Sequence, residues 1–223
     1  MTPGRLRPLQ RLAKGVAVAA CLLATAVQAE IPNIRPVARD LFIPATRWDH
    51  RDGSADWTRA AMSAFAAYDS GLEDMVPANI DTFCPGYRSN DARLRRAFWV
   101  GLMSNLSKIE SNQNPQAVGG GGKWFGLMQI SPATAAHHRC EARSGDALLN
   151  PEANVACAAR IFTTSIRNDG AIRLRDWGPM HNGAKVAEMA AWTREQSYCQ
   201  QVMATSPRPM ARPEQTIVMA SAN

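Results

Sequence analysis

Between Leu94 and Ile109 the apolar residues Leu94, Phe98, Leu102, Leu106 and Ile109 recur every three or four positions, with Asn105 on the same face. Only an α-helix brings such positions to one face. Asn90 offers an N-cap and Asp91 suits the first turn, while Asn112 to Pro115 end the periodicity. An apolar stripe of this length must be covered by other elements, so the chain has to fold around this helix.

The candidates to cover it are also helical. Ser54 can cap a helix from Ala55 to about Ser70, with Trp57, Ala61, Phe65 and Tyr68 at helical spacing and Gly71 as its stop. Ser131-Pro132 and Asn150-Pro151-Glu152 each pair an N-cap with a proline in the first turn. The second of these opens a helix to about Asn168, with Val155, Ala158, Ile161, Phe162 and Ile166 on its core face. A last helix is expected over Ala184 to Thr193. The stretch from Leu72 to Asn90, broken by Pro77, Pro85 and Gly86, reads as irregular. Four glycines, Gly119 to Gly122, form a turn between short strands, the second around Trp124 to Gln129. The fold class is therefore mainly α with a small β element.

Both ends differ from this middle. Arg5, Arg7, Arg11 and Lys14 precede the apolar run Gly15–Val27, and Val27-Gln28-Ala29 offers small residues for cleavage. Residues 1–29 read as a secretory signal peptide, too short for a membrane span, and no later segment is long and apolar enough for one. Cys21 offers a rival, a lipoprotein cleavage box after Val18-Ala19-Ala20, but it would leave an unusually short apolar segment. The expected location is outside the cytoplasm, periplasmic or extracellular. Residues 30–53 read as a linker or extended arm, 54–200 as the folded domain, and 201–223, with three prolines and no helical face, as a disordered tail. Arm and tail are the places where a protein partner could bind.

Removing the first 29 residues changes the charge. Four of the cations behind the net charge of +6 lie there with no acid, leaving +2. That near-neutral remainder argues against nucleic acid as a partner. It also leaves four cysteines, Cys84, Cys140, Cys157 and Cys199, an even number that in an exported chain reads as two disulfides. Cys140–Cys157 and Cys84–Cys199 are the favoured pairs among three possible connectivities. Zinc is the alternative, but there is no C-x-x-C pair, and the adjacent His137 and His138 point to different helix faces. No metal or cofactor is expected.

One carboxylate, Glu110, stands among amides, glycines and apolar residues from Lys108 to Ala135. It follows Ile109 and sits where the helix presents its partial negative end. Partial burial and that dipole both disfavour ionisation, and an acid kept protonated near neutral pH is a general acid. A solvated glutamate in a last helical turn is the plainer reading. The neighbours favour chemistry: Ser111, Asn112, Gln113, Asn114 and Gln129 supply hydroxyl and amide groups, and Trp124 and Phe125 supply flat apolar faces. Such a set suits a neutral, polyhydroxylated ligand. One of the two aromatic residues is expected to pack in the core.

These residues resemble the lytic transglycosylases, enzymes with a lysozyme-like domain that cleave bacterial peptidoglycan. The resemblance rests on Glu110-Ser111, Asn114-Pro115, Gly126-Leu127-Met128-Gln129-Ile130, Pro132-Ala133-Thr134-Ala135 and Asn150-Pro151-Glu152-Ala153-Asn154, in the family's order, over roughly Arg96 to Trp192. It implies an α+β lysozyme-like fold with the β element flanking an active-site cleft. It implies that Glu110 is the one catalytic acid/base for the bond between N-acetylmuramic acid and N-acetylglucosamine. The substrate's N-acetyl group and 6-hydroxyl would complete the reaction as a 1,6-anhydro ring, so no second carboxylate is needed. Ser111, Gly126, Met128, Gln129 and Asn182 are the matched candidates for substrate binding. His181 stands where the family usually has a tyrosine that approaches the acid, and here it would donate a hydrogen bond to Glu110 and shape the acid limb of the activity. Two alternatives remain: a hydrolytic muramidase, with Asp146 or Asp176 as second carboxylate, and a non-catalytic peptidoglycan-binding protein on the same fold. The run Gly119–Trp124 is no phosphate loop, because no Ser or Thr follows Lys123.

Overall fold

A computed structural model describes residues 42–67 and 71–200 of the chain. The signal segment with Cys21, most of the arm, Tyr68 to Ser70 and the tail lie outside the described residues. Seven α-helices are described: α1 (Ser54–Ala67), α2 (Ile80–Phe83), α3 (Ala92–Ser111), α4 (Pro132–His137), α5 (Gly145–Leu148), α6 (Pro151–Asp169) and α7 (Gly183–Glu195). Two strands, β1 (Val118–Gly119) and β2 (Trp124–Phe125), pair antiparallel, with Val118 opposite Phe125 and Gly119 opposite Trp124. Single 3-10 turns cover Tyr87–Ser89, Gly178–His181 and Ser197–Cys199. The described residues are thus mainly helical with one small β element.

Helix α3 is the axis of the domain. Every residue from Ala97 to Ser107 is buried, so the helix is enclosed on all sides rather than along one stripe. α1 packs on α6 and on α3, and α7 covers another side of α3. Aromatic edges lock these layers: Phe98 meets Tyr87 and Trp99, and Phe162 of α6 meets Phe65 of α1 and Trp177. Each of the long helices has a chemical start or stop. Asp91 accepts from the Leu94 N–H, and Asn150 from the Ala153 N–H. Asn112 and Gly170 end α3 and α6 in the left-handed conformation.

Several expectations shift. The cap of α3 is Asp91 rather than Asn90, because the Asp91 carboxylate reaches Leu94. The stretch read as irregular contains α2 and a 3-10 turn. Residues 42–53 are not a free arm. Trp48 is fully buried, donates its indole N–H to Thr58 at 2.8 Å and sets its ring edge-on to Trp57. The Tyr198 hydroxyl donates to the Ala45 carbonyl at 3.1 Å, tying this segment to the far end of the domain. The two disulfides are Cys84–Cys199 and Cys140–Cys157, the favoured pairing.

Candidate active site

Glu110 occupies the last turn of α3, one residue before Ser111 closes the helix. Its Oε1 is buried and has no hydrogen-bond partner among the described residues. Burial raises its pKa from the ordinary 4.5 to about 7, and the Lys185 ammonium at the start of α7 pulls partly the other way. The negative end of α3 acts in the same direction as burial. The outcome is a carboxyl group divided between acid and carboxylate near neutral pH, with an oxygen free to bind something else.

The chain just past Glu110 is held from two sides. Asn112 and Gln113 both have positive φ, 50° and 59°, so the chain turns sharply out of the helix. The Asn112 carbonyl accepts from the Arg51 guanidinium, and the Gln113 amide donates to the Arg47 carbonyl at 2.9 Å. Arg47 itself is fixed to α3 by Asn105, at 2.6 Å, and to α7 by Glu188, at 2.9 Å. Residues expected to lie in an arm therefore brace the end of the helix that carries Glu110.

On the other side, the Ser111 hydroxyl donates to the Leu127 carbonyl at 2.9 Å, joining the helix end to the Gly126–Ile130 turn. That turn is organised by Asn154 of α6, which is fully buried. Asn154 Oδ1 accepts from the Met128 N–H at 2.9 Å, and its Nδ2 donates to the carbonyls of Leu148 and Phe125 at 2.8 and 3.0 Å. The Trp177 indole donates to the Met128 carbonyl at 2.8 Å. Gly126 has φ of 73°, and a Cβ there would lie 2.3 Å from the Leu148 carbonyl oxygen, so no other residue fits unstrained. The Met128 side chain is fully buried, and Gln129 uses its amide on the carbonyls of Gly126 and Ala117. Of the sequence-selected residues here, Ser111, Gly126 and Met128 are thus committed to the scaffold.

The aromatic pair divides as expected. Phe125 is half-buried, with Gly145 against its ring, and Trp124 is 47% exposed with its ring lying on Gly120. Asn182 caps α7, its Oδ1 accepting from the N–H groups of Ala184 and Lys185. His181 departs from expectation. Its Nε2 lies 3.1 Å from the Arg175 carbonyl, and among the described residues it makes no hydrogen bond to Glu110. The 3-10 turn Gly178–His181 folds the ring back onto the segment before it. Of the candidate second carboxylates, Asp176 accepts from Ser165 at 2.6 Å and stands 4.0 Å from His138, and Asp146 is exposed in the first turn of α5. The charge acting on Glu110 is that of Lys185.

Sequence reasoning missed Arg47, Arg51, Asn154, Trp177 and Lys185. Asn154 lay inside a quoted motif, but nothing in the sequence distinguished a brace from a helix surface residue. Lys185 had the signal of proximity to the Asn182-Gly183 pair alone.

Comparison with known proteins meets this geometry. Residues 89–177 match the family model of the Transglycosylase SLT domain, a span that contains Glu110 and Asn154 and stops before His181. The solved structure of wild-type DslA, form 2, superposes with a TM-score of 0.63 at 23% identity, over 71% of this chain and 100% of DslA. Two glutamate-to-glutamine mutants of DslA give TM-scores of 0.64 and 0.63 at 23% and 22% identity, over the same shares of the two chains. No curated protein matches the chain. The structural likeness is one of fold, a lysozyme-like α+β domain. Residues 89–177 thus match the Transglycosylase SLT domain on a fold that the chain shares with DslA.

Proposed function

We propose that Glu110 is the single general acid/base of this transglycosylase and that its products end in 1,6-anhydro-N-acetylmuramic acid. The observation that carries this reading is the buried, unpartnered Oε1 of a carboxyl group with a pKa of about 7. In the acid form Glu110 protonates the bridging oxygen as the glycosidic bond breaks. The muramoyl N-acetyl oxygen stabilises the cationic anomeric carbon. Glu110, now a carboxylate, takes the proton from the 6-hydroxyl as that oxygen bonds to the anomeric carbon. The proton count balances without water. The Lys185 charge, rather than a second carboxylate, acting on Glu110 supports the one-acid scheme. Gln129 and Asn182 face the substrate in this reading, with Ser111, Met128 and Asn154 positioning the Gly126–Ile130 turn.

Mass spectrometry of muropeptides tests it. Wild-type protein is expected to release products one water lighter than hydrolysis would give, and Glu110→Gln to lose about 10²–10⁴-fold in rate with an unchanged far-UV spectrum. Products of full hydrolytic mass would replace this reading with a muramidase. Peptidoglycan binding without products from either protein would leave a binding role. Export follows from the same reading: both disulfides suit an oxidising compartment, and the mature protein is expected to begin at Glu30 by intact mass.

A further inference from the structure

Residues 47–51 precede α1, yet their polar contacts converge on the end of α3. The Arg47 N–H donates to Ser104 Oγ at 2.9 Å, and its carbonyl accepts from Gln113 Nε2 at 2.9 Å. One terminal nitrogen of its guanidinium donates to Asn105 Oδ1 at 2.6 Å, the other to Glu188 Oε1 at 2.9 Å. Asn105, fully buried, donates in turn to the Met189 carbonyl at 3.0 Å, and Lys108 reaches the same Glu188 oxygen at 3.5 Å. Arg47 thus joins α3, α7 and the chain just past α3. Arg51 adds the Asn112 carbonyl. The turn that presents both arginines is itself fixed: Trp48 is fully buried, and the Arg51 N–H donates to the Trp48 carbonyl at 2.8 Å.

What these bonds hold is a strained exit. Asn112 and Gln113 follow one another with φ of 50° and 59°, a conformation that costs free energy for any residue with a Cβ. Such a pair persists only where its surroundings over-determine it. Here the surroundings are a guanidinium on the Asn112 carbonyl and a backbone carbonyl on the buried Gln113 amide. Released, the exit relaxes, and the turn of α3 that frays first is the one that carries Glu110. Among the described residues neither arginine is hydrogen-bonded to Glu110, whose Oε1 has no partner, so any effect on it passes through the helix end. We propose that Arg47 and Arg51 are positioning residues of this enzyme, clamping the strained exit of α3 so that the Glu110 carboxyl stays enclosed. The effect on rate rests on the reading of Glu110 as the acid; the clamp itself can be read on the carboxyl without catalysis.

The charges at this end of α3 are Arg47 and Arg51 on the turn, Lys108 on α3, and Lys185 and Glu188 on α7. Deleting a cation by its charge alone raises the pKa of Glu110, whereas fraying the turn hydrates the carboxyl and lowers it from about 7 towards 4.5. The two outcomes have opposite signs. Carbon-13 NMR titration of the Glu110 carboxyl in the whole chain, assigned by its absence in Glu110→Gln, separates them. Arg51→Ala and Arg47→Ala are each expected to move the midpoint down by about one pH unit or more. Gln113→Met, which keeps the buried volume and loses the bond to Arg47, should move it the same way and replaces Arg47→Ala should that variant fail to fold. Arg51→Lys should restore the wild-type midpoint, because one donor serves the Asn112 carbonyl. Arg47→Lys should restore it only in part, because an ammonium lacks the fork that holds Asn105 and Glu188 together. At pH 7 the protonated fraction falls from about a half to about a tenth, so kcat on soluble glycan strands should fall about fivefold with KM unchanged. An unmoved or raised midpoint in folded Arg51→Ala and Gln113→Met overturns the clamp and leaves the arginines a role in stability alone. A lowered midpoint, with no cleavage of strands by wild type, keeps the clamp and removes the reading of Glu110 as the acid.

Discussion

Two stretches meet the end of α3, and they are made differently. Gly126–Ile130 joins it through the Ser111–Leu127 hydrogen bond, and Gly178–Lys185 through the Lys185 charge on Glu110. In the first, the side chains of Asn154 and Trp177 occupy backbone groups on both sides of Met128, and Leu127 and Met128 are fully buried. In the second, His181 to Lys185 are all exposed, and the polar bonds are local ones to Asn182 and Arg175. The first wall holds shape. The second is free to vary in chemistry, and it carries His181, turned back onto the Arg175 carbonyl. The difference teaches that the most tightly bonded stretch beside Glu110 is also the one whose side chains Leu127 and Met128 lie out of a ligand's reach.

Substitution can break the comparison. The largest stability effect is expected on the rigid wall. Gly126→Ala meets the Leu148 carbonyl at a positive φ, and Asn154→Ala takes the side-chain partner from the Met128 N–H and the Leu148 carbonyl, while the Phe125 carbonyl keeps the Ile130 N–H. Each should cost on the order of 2–4 kcal/mol, a fall in Tm of roughly 5–15 °C by calorimetry. Small losses at both positions would mean the wall is no more rigid than its opposite.

Glu110 itself gives a pH-dependent signature. Its folded pKa, about 7, lies above the ordinary 4.5, so the fold favours its protonated form. The destabilisation from ionising it is absent below pH 4.5, grows between 4.5 and about 7 and is full above that. Glu110→Gln should therefore raise Tm at pH 8 relative to wild type and change it little at pH 4. An equal change at both pH values would deny the burial argument.

On the open wall the effects are smaller and chemical. If Glu110 is the acid, activity falls as pH rises through about 7. Lys185→Met removes the charge that lowers this pKa, so the falling limb should move to higher pH by a fraction of a unit, without a change in Tm. A shift downward would reverse the assigned sign. The smallest effect is expected from His181→Phe. With its ring on the Arg175 carbonyl, its loss should leave the pH–rate profile nearly unchanged. A moved acid limb would restore the direct partnership with Glu110 that the sequence suggested.

Much of this fold was legible in the sequence alone. The period of Leu94 to Ile109, the Ser131-Pro132 and Asn150-Pro151 starts, and the glycine turn are local signals, and local chemistry decided them. The environment of Glu110 was legible too, because burial by Ile109's face and the helix dipole follow from its place at a helix end. Trp48 was not. A tryptophan in a proline-containing, charged stretch shows no period, and its burial depends on Thr58 and Trp57 meeting it in space. Asn154 and Lys185 were hidden for the same reason. Their partners lie 26 and 75 positions away, at Met128 and Glu110, and no pattern along one chain encodes such a meeting.

The Cys84–Cys199 bond makes residues 84 to 199 a covalent ring, with the smaller Cys140–Cys157 ring inside it. A protease that nicks the exposed glycine turn at Gly121 cuts the large ring once and opens it without releasing a piece. The nicked protein should migrate as one band on a non-reducing gel and as two after reduction. An exposed turn is thus also one whose cleavage leaves both halves of the domain tethered.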